Sequence, residues 1–258
     1  MTEVTPRKSL GQHWLHDQSA LQAMVAAAQV ESKDMVVEIG PGLGTLTQKL
    51  VEQAREVLAI ELDERLATDL PRRVPANNLT IANSDILKFD FTSLPADYKI
   101  VANIPYYLTA HLLRILSESP NRPASAALLL QKEVAQRVTA KPGQMSLLSV
   151  NTQLAYQTSL GQLVPAKLFT PPPKVDSQIL ILTRRPEPLF KDLDTKQFFR
   201  VVKAGFANKR KTLLNTLSAG LQLTKEETAS KLQAADINPQ TRPQELSLEQ
   251  WHRLYQQF

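Results

Sequence analysis

The sequence predicts an α/β protein in which a doubly wound, mainly parallel sheet is followed by a small all-helical domain. Three observations lead to this prediction. Short apolar runs alternate with helix-length segments through the first two thirds of the chain, as in βαβ units. A glycine-rich turn follows the first of these runs, and no strand-like run follows Arg185. We therefore expect two domains, over residues 1–185 and 186–258.

The predicted strands are continuous apolar runs, which is typical of parallel strands buried on both faces. They cover residues 35–39, 57–62, 79–82, 100–104 and 126–130, and a sixth run at 178–183 is predicted to close the sheet. The intervening segments 43–54, 64–70, 108–117 and 132–139 have the length and apolar spacing of crossover helices. Ahead of the first strand, Asp17 is predicted to cap a helix that extends to Val30.

The C-terminal part is predicted to be helical throughout. Pro186 and Pro188 interrupt the preceding strand, and amphipathic segments then follow at 195–207, 210–219, 225–235 and 247–257. Trp251 and the pair Phe198 and Phe199 lie at helical spacing with Leu and Val, so we expect them in the core of this domain.

Composition excludes several classes of protein. Hydrophobic residues make up 43% of the 258 residues and charged residues 21%, which excludes intrinsic disorder of the whole chain. The chain has no cysteine, so disulfide scaffolds, thiolate metal sites and cysteine nucleophiles are excluded. The four histidines have no convergent acid cluster, and we expect no metal site. The N-terminus has no signal-peptide pattern and no run is long enough to span a membrane, so we expect a cytoplasmic monomer.

The charge is unevenly distributed along the chain. Residues 1–120 carry 11 basic and 15 acidic side chains, whereas residues 121–258 carry 19 and 10. Between Thr195 and Thr224 there are six basic residues and no acidic one: Lys196, Arg200, Lys203, Lys209, Arg210 and Lys211. This cluster suits a polyanion-binding surface, although a solvated helix face kept soluble by Lys and Arg fits the pattern equally well.

Acidic residues follow a glycine-rich turn at the predicted edge of the sheet where ligands bind. Gly40, Gly42 and Gly44 have the spacing G-x-G-x-G, and Thr45 stands where a dinucleotide fingerprint requires glycine, which disfavours a nicotinamide cofactor. Glu61 ends the second strand, where a carboxylate can accept from ribose hydroxyls. Asp85 follows the third strand and can accept from an adenine amino group. The set indicates an adenosine-type ligand, although either acid alone is more often a turn or cap residue.

The tetrapeptide Asn103-Ile104-Pro105-Tyr106 ends the fourth strand. A plain structural interpretation is a strand end before a proline-initiated helix. The chemical interpretation concerns the exocyclic nitrogen of adenine, whose lone pair is delocalised into the ring until acceptors engage its hydrogens. An Asn side-chain oxygen and a nearby backbone carbonyl can do this without a strong base, while an adjacent aromatic ring stacks on the extruded base.

These motifs, in this order, resemble those of class I S-adenosylmethionine-dependent methyltransferases that act on adenine N6. The segment Lys8-Ser9-Leu10-Gly11-Gln12-His13-Trp14-Leu15, the Phe-x-Pro-x-Pro-Lys-Val-Asp-Ser segment at 169–177, and Phe206–Leu213 in the tail specifically resemble the small-subunit (16S) ribosomal RNA adenine dimethyltransferase family, the KsgA type. The resemblance runs from about residue 7 to the C-terminus. It implies a Rossmann-like class I methyltransferase domain, a helical RNA-binding domain, and dimethylation of two adjacent adenines near the 3′ end of the small-subunit rRNA.

The resemblance also implies roles for single residues. The expected cofactor contacts are His13, Leu15, Gly40 at the methionine part, Glu61 at the ribose, Asp85 at the adenine, and Asn103. Asn103 also faces the target amine, and Tyr106 and Phe169 are expected to sandwich the target adenine. Lys209, Arg210 and Lys211 are expected to grip RNA phosphates. The chain departs from the family at His13 and Trp14, where Asn and Phe are usual, which puts the geometry of the His13 contact in question.

Three other functions fit part of the pattern. A non-catalytic RNA-binding or assembly factor would keep the fold as a scaffold, but it has no need of the Asn-Ile-Pro-Tyr motif and both acids. The related large-subunit rRNA methyltransferases that confer antibiotic resistance share every catalytic motif and differ in substrate. A nicotinamide-dependent dehydrogenase is the remotest of the three, because no general acid follows the glycine turn.

Overall fold

The computed structural model describes residues 5–7 and 10–258, which form two compact units. The first contains the described residues up to 136 together with 156–184, and the second contains 137–155 together with 185–258. The strands are β1 Trp14–Leu15, β2 Met35–Ile39, β3 Glu56–Glu61, β4 Leu79–Asn83, β5 Lys99–Asn103, β6 Ser125–Gln131, β7 Tyr156–Val164, β8 Phe169–Thr170 and β9 Ser177–Arg184. The helices of the first unit are α1 Gln18–Ala27, α2 Thr45–Gln53, α3 Glu64–Arg73, α4 Thr109–Glu118 and most of α5 Lys132–Val138.

A seven-stranded sheet forms the centre of the first unit, with the strand order β4-β3-β2-β5-β6-β9-β7. The five predicted parallel strands are all present and pair in parallel, while β9 runs antiparallel between β6 and β7. The strand order reverses on either side of β2, which lies between β3 and β5. This switch point is where doubly wound sheets form a ligand-binding crevice. The predicted α/β fold is confirmed.

The prediction that residues 178–183 close the sheet is wrong. They lie in β9, an inner strand, and the edge strand is β7. The sequence of β7 was not predicted as a strand because it is polar, with no continuous apolar run, and most of its side chains are exposed. Such polarity is typical of an edge strand, which has only one paired side.

Helix α1 covers the middle of the sheet. As predicted, the Asp17 side chain caps it by accepting from the backbone amide of Ala20 at 2.8 Å. Its buried residues, including Leu21 and Met24, pack in one apolar cluster with Val101 and Leu129 of the sheet. A small antiparallel pair, β1 with β8, brings Leu15 opposite Phe169. Both residues belong to the same cluster, so this pair fixes the N-terminal segment to the core.

The second unit is helical, as predicted for the tail. It contains α6 Leu147–Ala155, α7 Thr195–Gly205, α8 Leu213–Leu221, α9 Lys225–Ala234 and α10 Leu248–Tyr255. Phe198 and Trp251 are fully buried in its core, as predicted. Residues 137–155 lie ahead of the predicted boundary at 185, yet they belong to this unit because Met145 and Val150 pack in the same cluster as Phe198. Within residues 5–7 and 10–258, no helix is long and apolar enough to cross a membrane.

Candidate active site

A cavity opens at the carboxyl edge of the sheet, at the switch point beside β2. Its walls come from the ends of β2, β3, β4 and β5, from the turn after β5, and from residues 10–14, which we call the arm. Six of the eight residues predicted to contact cofactor or target base line this cavity: His13, Gly40, Glu61, Asp85, Asn103 and Tyr106. The sequence predictions from separate strands therefore converge on one site. Lys8 and Ser9 of the motif lie outside the described residues.

The glycine turn after β2 forms the floor of the cavity. Gly40 has φ +68°, and a Cβ added there would find no atom within 4 Å, so the space above its backbone is open to a ligand. Gly42 has φ +58°, and its Cβ would lie 3.1 Å from Trp14 Cδ1. Both positions require left-handed backbone, which glycine adopts without strain. The turn thus presents bare backbone to the cavity and packs closely against the arm.

The Glu61 carboxylate closes the cavity at the end of β3. It is 6% exposed and accepts from two backbone amides, Gly42 N at 3.1 Å and Asp63 N at 2.9 Å. Burial raises the pKa of Glu61, while these two amide donors oppose the rise. Each carboxylate oxygen has a second lone pair, so the group still has the capacity to accept from two hydroxyls of a ligand.

Asp85 borders the cavity beyond β4. Its Oδ1 accepts from the amide of Leu87 at 3.0 Å and thereby caps the single 3-10 turn Ile86–Lys88. The residues of this turn that line the cavity, Ile86 and Leu87, are apolar. An acceptor next to apolar side chains is suited to a purine ring, which has a flat face and an amino group at its edge.

Asn103 joins the end of β5 to the arm. Its Nδ2 donates to the backbone oxygen of His13 at 2.9 Å. The His13 ring, in turn, is 2.7 Å through Nδ1 from the carbonyl of Pro171, and it lies roughly parallel to the Tyr106 ring with centroids 6.0 Å apart. A carbonyl oxygen only accepts, so Nδ1 of His13 carries the proton in this contact. The His13 ring therefore has a hydrogen-bond partner at Pro171 for the nitrogen that carries the proton.

Tyr106 is held at the cavity wall by its hydroxyl group, which is 2.8 Å from the Ser177 hydroxyl. Burial raises the pKa of Tyr106, so its hydroxyl stays protonated and able to donate. Tyr107, the next residue, is 58% exposed at the rim of the cavity. Sequence analysis did not single out Tyr107, because a second aromatic after the motif carries no chemical signal of its own.

The structure does not bring Leu15 or Phe169 to the cavity lining. Leu15 is 2% and Phe169 3% exposed, and both side chains lie in the apolar core cluster. The reason is the β1–β8 pairing, which sets the two residues opposite each other on the core side. Phe169 is therefore not part of the cavity lining in this structure, and its place beside the target adenine stays a prediction. Leu15 instead accepts a hydrogen bond from Thr45 through its backbone oxygen, at 2.9 Å.

Glu38 lies in β2, two residues before Gly40. It is 1% exposed, and neither carboxylate oxygen has a hydrogen-bond partner. Burial raises the pKa of Glu38 to about 8; the Thr47 hydroxyl opposes this rise and the negative charge of Glu61 adds to it. At neutral pH Glu38 is therefore mainly a neutral carboxylic acid.

The predicted basic cluster belongs to the second unit. Lys209, Arg210 and Lys211 are exposed on the loop between α7 and α8, and Lys196, Arg200 and Lys203 are exposed along α7. The α7 residues are spaced by four and three positions, so they share one helix face. None of the six forms an ion pair with another residue in the described part of the chain. These cations are available to an external polyanion.

Comparison with known proteins assigns the chain to a family. The family model for ribosomal RNA adenine dimethylase matches residues 4–258. Ribosomal RNA small subunit methyltransferase A of Dehalococcoides mccartyi (strain CBDB1) is 40% identical over 252 residues, covering 96% of this chain and 87% of that protein. The protein of the same name from Streptococcus sanguinis is 38% identical, covering 96% and 90%.

Two solved structures are similar over nearly the whole chain. A dimethyladenosine transferase from Plasmodium falciparum has a TM-score of 0.80 and 27% identity, covering 94% of this chain and 96% of that one. The 23S rRNA methyltransferase ErmE has a TM-score of 0.78 and 28% identity, covering 95% and 98%. The similar sequences and the similar structures are those of adenine and rRNA methyltransferases, as the residues that line the cavity indicate. The chain belongs to the ribosomal RNA adenine dimethylase family.

Proposed function

We propose that this protein transfers methyl groups from S-adenosylmethionine to N6 of two adjacent adenines near the 3′ end of small-subunit (16S) rRNA. The observation that carries this proposal is the position of Asn103, at a cavity wall with its nitrogen bound to His13 O at 2.9 Å. That bond leaves Oδ1 as the acceptor for a target amine. The 38–40% identity to small subunit methyltransferases A supports the choice of substrate.

The cavity fits S-adenosylmethionine. The open space above Gly40 would take the methionine part, the buried Glu61 carboxylate would accept from the ribose hydroxyls, and Asp85 would accept from the adenine amino group. The apolar Ile86 and Leu87 border the adenine ring. Bound there, the cofactor supplies a methyl group on a sulfonium, which is already an activated leaving group. The protein is left with the tasks of aligning the amine and excluding water.

The peptide that begins at Asn103 prepares the amine. Asn103 Oδ1 and the carbonyl of Ile104 would accept N–H groups of the amine, so that the nitrogen lone pair is released from the purine ring and becomes nucleophilic. As the N–C bond forms, the C–S bond breaks, the sulfur leaves as a neutral thioether, and the methylated nitrogen releases one proton to solvent. Pro105, at φ −53°, has no N–H and turns the chain directly after Ile104. Tyr106 stacks on the extruded base, held by its hydroxyl contact with Ser177. Phe169 is left out of this mechanism, because it lies in the core.

RNA affinity is supplied in this proposal by the basic residues of the second unit. Lys209, Arg210 and Lys211 are exposed and unpaired, so they can contact phosphates and position the RNA without reading its bases. With a ribosomal substrate, we expect the protein to act in the cytoplasm.

The competing candidate is methylation of large-subunit rRNA, which the similarity to ErmE favours. A direct test incubates the protein and labelled S-adenosylmethionine separately with under-methylated small subunits, with large subunits and with naked rRNA. We expect label on small-subunit adenines alone. Label confined to large subunits would overturn the proposed substrate, and binding of small subunits without any labelling would indicate a scaffold.

A further inference from the structure

The arm is the one wall of the cavity that does not belong to the main sheet or to its following turns. Its residues 10–14 line the cavity opposite the glycine turn, and Trp14 packs on Gly42. A cofactor held below the arm has to enter, and its product has to leave. Moving strands β2–β5 would break the core, whereas residues 10–13 of the arm precede β1 and belong to no strand of the main sheet. The contacts that hold the arm therefore control access to the cavity.

One of these contacts involves Asp63, a residue that the sequence analysis gave no role. Gln12 Nε2 donates to Asp63 Oδ2 at 3.3 Å, and Arg7 Nη1 lies 3.5 Å from Asp63 Oδ1. Gln12 Oε1 also accepts from the Arg7 backbone amide at 2.7 Å, so Arg7 and Gln12 approach Asp63 as a linked pair. The same carboxylate accepts from the Arg65 side chain through Nε at 3.0 Å and through Nη2 at 2.7 Å.

Asp63 is suited to hold the arm because its carboxylate is both buried and charged. Its side chain is completely shielded from solvent, whereas those of Arg7 and Arg65 are 51% and 40% exposed. The hydrogen bond from Arg65 lowers the pKa of Asp63, with a further contribution from Gln12. A buried carboxylate that stays charged requires donors. Gln12 of the arm and Arg7, which is bonded to Gln12 through its amide, supply two of these donors, so opening the arm leaves the charge less well satisfied.

Asp63 also contacts the cofactor side of the site through its backbone. Its amide donates to Glu61 Oε1 at 2.9 Å, and Glu61 is the residue to which the proposed function gives the ribose. Asp63 thus hydrogen-bonds to Glu61 through its main chain and to the arm residue Gln12 through its side chain. Its carboxylate also caps α3 by accepting from the Arg65 amide at 3.2 Å.

We infer that Asp63 is a positioning residue that latches the arm, through Gln12 and Arg7, over the bound cofactor. The inference rests on the proposed function for the identity of the ligand, but the latch itself is a property of the protein without ligand. Breaking it leaves Gly40, Glu61 and Asp85 in place, whereas lifting the arm also breaks the bond from Asn103 to His13 O. We therefore expect faster loss of cofactor from the site and a higher KM for S-adenosylmethionine, with a smaller fall in kcat.

The test compares Asp63→Asn, Gln12→Met, the double variant and wild type by hydrogen exchange, without any ligand. Gln12→Met keeps the length of the side chain and leaves the α3 cap intact, so it carries the test if Asp63→Asn folds poorly. We expect amides of residues 10–13 to exchange roughly tenfold faster in each single variant. The double variant should be no faster than the faster single one, because the two side chains form one contact.

The matched control is Asp69→Asn, which removes a carboxylate from the same helix, where it pairs with Arg73. It should leave exchange of the arm unchanged. Arm exchange equal to wild type in both single variants, or fully additive acceleration in the double variant, would overturn the latch.

A second readout separates the latch from the proposed function. S-adenosylhomocysteine binding is measured by calorimetry, and its dissociation rate by stopped flow. If wild type binds and the single variants release it roughly tenfold faster, the latch controls cofactor retention. Unchanged dissociation rates would contradict that role. Failure of wild type to bind would refute the proposed cofactor, while the exchange experiment would still decide whether Asp63 holds the arm.

Discussion

Asn103 Nδ2 donates to the backbone oxygen of His13 at 2.9 Å, which ties the end of β5 to the arm across 90 residues of sequence. Because a carbonyl oxygen only accepts, this bond determines the orientation of the side-chain amide and leaves Oδ1 free for a donor. The arm residue His13 therefore sets the catalytic orientation of Asn103 through its main chain.

Asn103→Ala should reduce methylation severely while leaving RNA affinity largely intact. The variant removes the acceptor for the amine, and loss of one such group costs roughly 100-fold to 1,000-fold in kcat. Labelled methyl transfer and filter binding of rRNA measure the two effects separately. The matched control, Asn77→Ala, changes an exposed residue in the loop before β4 and should keep full activity. Near wild-type turnover in Asn103→Ala would refute the assigned chemistry.

Tyr106 should act mainly through its ring. In Tyr106→Ala the stacking surface is lost, and we expect kcat/KM to fall roughly 10-fold to 100-fold. Tyr106→Phe keeps the ring and loses only the contact with Ser177, so its loss should stay within about tenfold. Steady-state kinetics on under-methylated subunits compare the two variants. Equal losses would show that the hydroxyl, rather than the ring, is what matters.

Gly40→Ala should impair cofactor binding more than folding. The added methyl group occupies the open space above the turn, so S-adenosylhomocysteine affinity should fall about tenfold or more. Gly143→Ala is the matched control. It also has positive φ, +102°, and open space around its Cβ, but it lies in the second unit. Both variants should lose roughly 1–2 kcal/mol of unfolding free energy through backbone strain, and only Gly40→Ala should lose cofactor affinity in calorimetry.

Glu38 should make the protein less stable as pH rises from about 4.5 to about 8. The pKa of the Glu38 carboxyl is 4.5 in the unfolded chain and about 8 in the folded protein. Over this window the folded state holds a proton that the unfolded state has released, so raising the pH favours unfolding. The slope for one proton is at most about 1.4 kcal/mol per pH unit. Urea denaturation of Glu38→Gln across this range should show a flatter dependence than wild type.

The control for Glu38 is Glu56→Gln, at the start of β3, where the side chain is half-buried. This variant should keep the wild-type dependence of stability on pH. If Glu38→Gln loses stability with pH as steeply as wild type does, the buried carboxyl is not the group that titrates.

Replacing Lys209, Arg210 and Lys211 together by Ala should weaken RNA binding and reduce its salt dependence. Each lost phosphate contact lowers the slope of log K against log salt by about 0.7–0.9, so the triple variant should lose about two units. Lys33, Lys49 and Arg55 in the first unit provide a control with the same change in net charge. An unchanged slope of log K against log salt would show that these residues do not contact RNA and only keep the helix face soluble.

Much of the fold was predictable because the inner strands carry their own signal. The runs that became β2, β3 and β5 are continuous and apolar, and residues such as Glu61 and Asn103 follow at their ends. Parallel strands expose their carboxyl ends at one edge, so distant residues could be assigned to one site. The strand β7 gave no such signal, since an edge strand needs few apolar residues.

Non-local pairing accounts for what the sequence did not reveal. The two-residue strands β1 and β8 are too short to show periodicity, yet their pairing places Phe169 in the core. Residues 137–155 were assigned to the first domain because they precede β9 in the chain, but Met145 and Val150 pack with Phe198. Asp63 stands in no motif that the sequence singles out, and only the fold brings Gln12 to it.

The central claim is that an adenine amine is methylated beside Asn103, and mapping the modified atom tests it most directly. Under-methylated small subunits are treated with wild type or Asn103→Ala, and the rRNA is digested to nucleosides and fragments for mass spectrometry. We expect N6,N6-dimethyladenosine at two adjacent adenines near the 3′ end with wild type, and at least about 100-fold slower formation with the variant. Methyl groups on a ribose or on a ring carbon, or formation of N6-methylated adenine by Asn103→Ala at the wild-type rate, would refute methylation of the amine beside Asn103.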